Sequence, residues 1–211
     1  MLLRSCKHTY LHDHALNAKV WDLGAKDGNF LASLRPAKEA LAVEPVPSPE
    51  LELRARYYRF DVERAALIDV VADDTPRFYL SDIRAANSFF FREDVHREND
   101  TMVVPRTTVE HLAKQYFWPE FVKIDIEGME TYVLEAILAM YPIQVTVEFH
   151  DQWELHTSGA VRALLCQMAD QYNFAWYRFS QQFFSDVLLV NRSINIPRMK
   201  LLAYEWYGRE V

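Results

Sequence analysis

Lys123, Asp125 and Glu127 alternate with the apolar residues Phe121, Val122, Ile124 and Ile126, and a second strand-like run places Glu148 and His150 two residues apart. Alternation sends 123, 125 and 127 to one side as such a strand leaves a sheet. Acids there can hold a cationic ligand, bind a metal or take up a proton, and burying two of them together is costly without a cation or donors nearby. A proton acceptor needs a pKa near the working pH, which histidine has unaided and a carboxylate reaches only by burial. His150 is therefore the first candidate for base, with Asp125 or Glu127 second; the plain alternative for His150 is a surface histidine at a strand end. Oxygen ligands suit magnesium, so Asp125, Glu127 and Glu148 offer a metal site, but a metal-free site is the favoured reading.

A second constellation lies nearer the start. Val20 to Leu23 is a short apolar run that breaks into Gly24-Ala25-Lys26-Asp27-Gly28. This reads as a strand, a glycine turn and a helix start: Gly24 lets backbone approach a ligand and Gly28 lets the helix begin tight against the sheet, its amides facing the ligand. The G-x-x-x-G spacing makes a wider turn than the G-x-G-x-x-G that clamps a pyrophosphate. Glu44 ends the next apolar run, 20 residues after Gly24, where an acid holds a ribose through its paired hydroxyls. Together they point to a nucleoside-like cofactor without phosphates. A ligand-free turn and a solvated strand-end glutamate are the bland readings.

The elements that must position these residues follow from periodicity. Apolar runs alternate with helical patterns, which predicts α/β units around a mostly parallel sheet. Pro49 to Tyr58 reads as a helix, Phe60 to Asp69 as a third strand and Phe78 to Leu80 as a short extra one. Residues 81 to 104 have no clear period and read as a functional or mobile loop carrying Arg84, Asn87, Ser88 and the cluster Phe89-Phe90-Phe91; the cluster's bland partner is the domain's own core, the sharper reading a lid or substrate wall, and Arg84, Ser88 and Glu148 are candidates for contacting an acceptor. Thr107-x-x-Glu110 reads as a capping box. Strands at Phe121–Ile126 and Ile143–Phe149 flank a helix from Gly128 to Met140. A helix capped by Ser158 leads to an antiparallel pair near 174–179 and 186–190.

The 211 residues, half of them hydrophobic, suit one domain, with residues 1–19 as an N-terminal extension. The net charge of −7 lacks a basic block and argues against nucleic acid. No apolar run reaches transmembrane length, and the opening is too short and polar for a signal segment. Two isolated cysteines, Cys6 and Cys166, read as reduced thiols, which makes the cytoplasm the default.

The motifs 21–30, Val43-Glu44-Pro45, Thr107-Thr108-Val109-Glu110-His111-Leu112, Val122-Lys123-Ile124-Asp125-Ile126-Glu127-Gly128-Met129-Glu130 and Val147-Glu148-Phe149-His150 together resemble, in order, the FkbM-type S-adenosylmethionine-dependent methyltransferases. The resemblance spans about 18 to 155. It implies a Rossmann-like class I methyltransferase sheet, mostly parallel with an antiparallel C-terminal hairpin. It also implies methyl transfer from S-adenosylmethionine to a hydroxyl of a sugar, glycan or natural product. Cofactor contacts would come from Asp22, Gly24, Ala25, Gly28, Asn29, Glu44, Asp69 and Asp125, with Asp73 a rival to Asp69. Lys26 replaces the usual asparagine, and its side chain is expected to point away from a cationic cofactor. A nicotinamide-dependent oxidoreductase would need the tighter turn that this chain lacks; a silent cofactor-binding scaffold is the reading from another class.

Overall fold

The computed structural model describes residues 2–34, 37–68, 77–81, 87–89, 96–150, 163, 165–178 and 184–194. The chain opens with an antiparallel hairpin, β1 (Leu2–Ser5) and β2 (His8–Leu11), and one helical turn, α1 (His12–Ala15). Then come β3 (Lys19–Leu23), α2 (Asn29–Ser33), β4 (Glu39–Val43) and α3 (Pro49–Tyr58). Short strands follow: β5 (Asp61–Glu63), β6 (Ala66–Leu67), β7 (Phe78–Ser81), β8 (His96–Met102) and β9 (Arg106–Thr107). The remaining elements are α4 (Val109–Gln115), β10 (Phe121–Ile124), α5 (Glu130–Leu138), β11 (Gln144–His150), β12 (Tyr172–Arg178) and β13 (Phe184–Asn191).

The main sheet runs β5-β4-β3-β10-β11-β13-β12. The first five of these are parallel, and β13 lies antiparallel to both β11 and β12. The expected architecture, a mostly parallel sheet closed by an antiparallel hairpin, is what forms. Strand order reverses between β3 and β10, and an open sheet of this kind binds ligands in the crevice beyond its carboxyl ends at that switch.

The two faces differ in chemistry. One is dry: Trp21, Leu23, Val122, Ile124, Val145 and Val147 pack with Val109 and Leu112 of α4 and Val133 and Ile137 of α5. The other carries Val20, Ala42 and Phe121 against α2 and α3, but also Asp22, Lys123, Gln144, Thr146, Glu148 and Asp186, all buried. Each large apolar side chain taken fully out of water contributes about 1.5–3 kcal/mol, so the dry face can offset the charged row opposite. The β1–β2 hairpin covers that row. Thr9 N–H donates to Asp186 Oδ2 at 3.0 Å and Leu11 N–H to Gln144 Oε1 at 2.7 Å, while Gln144 Nε2 returns a bond to the Leu11 carbonyl at 3.1 Å.

Local outcomes differ from the periodicity in four places. The expected third strand splits: β5 pairs with β4, but β6 turns away to pair with β9. The supposedly aperiodic stretch 81–104 contains β8, which pairs antiparallel with β7; its alternation was hidden because this hairpin, outside the main sheet, has polar residues along most of β8. The cap of α4 is Thr108, whose Oγ1 accepts from His111 N–H at 3.1 Å, not Thr107, which β9 claims. β10 stops at Ile124 and α5 starts at Glu130 because the intervening turn needs left-handed backbone, at Glu127 (φ 53) and Gly128 (φ 109). The helix expected from Ser158 begins outside the described residues; 165–167 are helical.

Thr108→Ala is expected to lower unfolding free energy by about 1 kcal/mol through loss of the cap. Thr107→Val should be neutral or stabilising, because the Thr107 hydroxyl is buried without a hydrogen-bond partner. Urea unfolding of both variants checks the pair; equal losses would place the cap wrongly.

Candidate active site

Lys123 lies mid-strand with its side chain almost fully buried, and the groups around it explain why. Its ammonium is 3.0 Å from Asp22 Oδ1 and 3.7 Å from Asp125 Oδ2. It donates to the carbonyls of Gly24 at 2.6 Å and Leu23 at 3.4 Å. Burial alone would discharge the amine, but the Asp22 carboxylate, then Asp125, outweighs it and the Lys123 pKa is raised. Burial likewise pushes the Asp22 carboxyl up, against the pull of Lys123. With four oxygens arrayed on the ammonium, the charged pair is the state the geometry favours.

That anchor fixes the glycine turn. Gly24 has φ 78, and a Cβ there would lie 1.8 Å from the Asp125 carbonyl oxygen. The glycine is required because the backbone after β10 passes directly over it, an approach made by protein rather than by ligand. Asp125 N–H donates to the Leu23 carbonyl at 3.0 Å, and Gly24 N–H to Val43 at 2.9 Å. Gly28 (φ 76) is packed by Leu51 and Phe60.

Beyond these strand ends opens a cleft. Gly24, Glu44, Asp125 and Glu127 line it, with an apolar side that includes Ala66, Leu67, Phe78 and Phe89. Phe78 and Phe89 meet edge to face at 5.0 Å. Glu44 is held rigidly: Oε2 accepts from Lys26 N–H at 2.9 Å and Oε1 from Val46 N–H at 3.1 Å. Burial raises its pKa, and those two amides draw it back. Across the cleft, Ser88 Oγ donates to the Glu127 carbonyl at 2.6 Å. Glu130, fully buried, accepts from Ile126 and Gly128 N–H at 3.1–3.2 Å and so holds the turn that presents Asp125 and Glu127.

Of the candidate cofactor and catalytic residues, the cleft thus gathers Gly24, Glu44, Asp125 and Glu127. Asp22 is instead sealed behind Lys123. Ala25 packs into the core beside α2, and the exposed Asn29 donates to Asp27. Neither they nor Gly28 line the cleft. Lys26 is exposed and borders the cleft, with its backbone N–H bonded to Glu44. Ser88 is buried in a bridge with Tyr79, and Glu148 is buried opposite Asp186. Asp69, Asp73, Arg84, Phe90, Phe91 and the side chain of His150 lie outside the described residues. Sequence reasoning missed His8. It is buried, with Nε2 3.7 Å from Asp125 Oδ2 and Nδ1 3.7 Å from Asp186 Oδ1, and a hairpin preceding the first sheet strand carries no periodic signal that marks it.

The geometry can be set beside known proteins. A family model, the Methyltransferase FkbM domain, matches residues 22–172. The chain belongs to that family. The FkbM fold is seen in solved relatives: a methyltransferase FkbM from Methylobacillus flagellatus KT is 16% identical with a TM-score of 0.51, over 82% of this chain and 43% of that one. An rRNA methylase from Streptococcus thermophilus is 12% identical at a TM-score of 0.50, covering 85% of this chain and 93% of its own. A dimethyladenosine transferase from Plasmodium falciparum is 11% identical at 0.51, covering 97% and 67%. At these identities the likeness is one of fold, and the chain spans under half the length of the M. flagellatus protein. No curated protein matches the chain. Within the FkbM motif Lys-Ile-Asp-x-Glu-Gly-x-Glu, the structure separates an anchor (Lys123), two cleft acids (Asp125, Glu127) and a turn holder (Glu130).

Lys123→Met should strand Asp22 as a buried unpaired charge and destabilise the protein by about 3–5 kcal/mol. Adding Asp22→Leu should recover much of that loss. A double-mutant cycle by chemical denaturation measures it, and additive losses would show that the pair is not coupled.

Proposed function

We propose that this chain transfers a methyl group from S-adenosylmethionine to a hydroxyl of a sugar, glycan or natural product. The observation that carries the reading is Glu44. Its carboxylate stands at the carboxyl end of β4, each oxygen fixed by one backbone N–H and each with acceptor capacity left for the paired hydroxyls of a ribose. The apolar side made by Ala66, Leu67, Phe78 and Phe89 suits a flat base, and Asp125 suits the cationic end of the cofactor. Bound S-adenosylmethionine would supply an electrophilic methyl on its sulfonium.

The chain's own part is to hold the acceptor in line and remove its proton. Asp125 and Glu127 border the cleft and are candidates for that proton. His150, at the end of β11 beside Phe184 of β13, remains the candidate whose ordinary pKa already suits the task. Asn87, from the segment 81–104, borders the cleft and on this reading forms part of the acceptor wall. A small acceptor is favoured over RNA because the net charge of −7 supplies no phosphate-binding field. Among the described residues no helix is long and apolar enough to cross a membrane. Cys6 and Cys166 are exposed and form no disulfide, in keeping with a cytoplasmic setting.

Calorimetry should detect S-adenosylmethionine and S-adenosylhomocysteine but no nicotinamide dinucleotide; the reverse result would sink the proposal. Glu44→Ala should cost about ten- to a hundredfold in cofactor affinity. The pH dependence has a fixed sign. Ionised Glu44 accepts the hydroxyls, so affinity is full above its raised pKa and is lost as pH falls through it, starting above the ordinary value of 4.5. Glu44→Gln should remove that limb.

Turnover over a panel of hydroxylated acceptors separates enzyme from silent binder. Asp125→Asn and His150→Ala should each lower kcat with the fold retained. If His150 is the base, the rate rises with pH through a pKa near 6–7 in the parent enzyme and flattens in His150→Ala; an unchanged profile leaves the carboxylates.

A further inference from the structure

His8 of β2, Asp125 after β10 and Glu148 of β11 each bring one ligand atom within 4.8 Å of the other two. We propose that these three side chains form a site for a divalent first-row metal ion such as Mn²⁺. Asp125 borders both this site and the cleft and joins the two. The sequence pattern had pointed to Asp125, Glu127 and Glu148 as the only metal-ligating set; His8 takes the place of Glu127, which faces the cleft.

Two observations carry the assignment. The first is spacing. His8 Nε2 and Asp125 Oδ2 are 3.7 Å apart, too far for a hydrogen bond. Two donors on one ion, each about 2.1–2.2 Å from it, stand about 3.0–3.6 Å apart, so a small inward shift completes the set. The second is the support behind the ring. His8 Nδ1 is buried with no hydrogen bond and faces Asp186 Oδ1 at 3.7 Å. Asp186 is itself fixed by Thr9 N–H at 3.0 Å and the Thr146 hydroxyl at 3.1 Å. A carboxylate behind a histidine is the usual means of keeping the proton on one nitrogen and leaving the other to bind metal.

One imidazole and two carboxylates suit manganese, iron or zinc better than calcium. Binding is read with the metal alone and does not depend on methyl transfer, so failure here and failure of the methyltransferase reading are separate results. The chelator-stripped full chain is titrated with Mn²⁺ and free ion followed by electron paramagnetic resonance, with Zn²⁺ and Mg²⁺ as competitors. One Mn²⁺ per chain is expected, weakened at least tenfold in His8→Gln and in Glu148→Gln and about tenfold in Asp186→Asn; circular dichroism establishes that each variant is folded. Absence of saturable binding of all three ions to the parent chain overturns the site. So does one-ion binding that both His8→Gln and Glu148→Gln leave intact. If neither variant folds, selective broadening of the His8 ring resonances by Mn²⁺ in the parent protein decides, and its absence also overturns the site.

Discussion

One buried ammonium sets the geometry of the strand ends. Lys123 reaches back from β10 to Asp22 on β3 and to the carbonyls of Leu23 and Gly24, so the turn after β3 and the turn after β10 are tied to one point. A hydrogen-bonded ion pair inside a sheet is costly to desolvate, and its geometry has to be good to break even. Here the oxygens surround the nitrogen, and the dry face across the sheet supplies the favourable burial that the charged face does not. The close passage of Asp125 over Gly24 follows directly. With a side chain at 24 the two turns could not meet, and Asp125 would not stand at the cleft.

The charged row changes what the N-terminal hairpin is for. β1 and β2 lie outside the main sheet and could pass for an appendage. Yet β2 donates its backbone to Asp186 and Gln144 and inserts His8 among acids of β11, β13 and the turn after β10. It is the lid of the polar face, and His8 packs edge to face on Phe30 at 5.6 Å, which carries that contact into the α2 side of the core. Asp125 belongs to both worlds, bordering the cleft on one side and His8 and Lys123 on the other. Its electrostatic state therefore depends on residues that never touch a ligand in the cleft.

How much of this was legible follows from where each signal resides. Strands with one dry face, such as β4 and β10, announced themselves by apolar runs, and α3 by its proline start; Glu44 was found from its distance to Gly24. Local signals failed where a tertiary partner decided the outcome. β6 leaves the path of β5 because β9 offers it a parallel edge, and no pattern within 60–69 contains β9. Thr107 and Thr108 are chemically equal as caps, and only the pairing of Thr107 in β9 selects Thr108. His8 was invisible for the same reason: its meaning comes from Asp125, Glu148 and Asp186, which lie more than a hundred residues away.

The acids of the family motif show the same point at closer range. Strand alternation through 123, 125 and 127 predicts one shared side, but it holds only while the backbone stays extended. β10 ends at Ile124, and Glu127 sits at φ 53. Glu127 faces the cleft because the turn carries it there, not because of parity with Asp125. Three residues on, Glu130 is buried completely and spends both oxygens on backbone N–H groups of that turn. Three carboxylates within six positions thus become a shared cleft acid, a turn-borne cleft acid and a structural cap. Their roles are set by the donors each one meets, so the motif identifies the family while the chemistry of each acid has to be read from its surroundings.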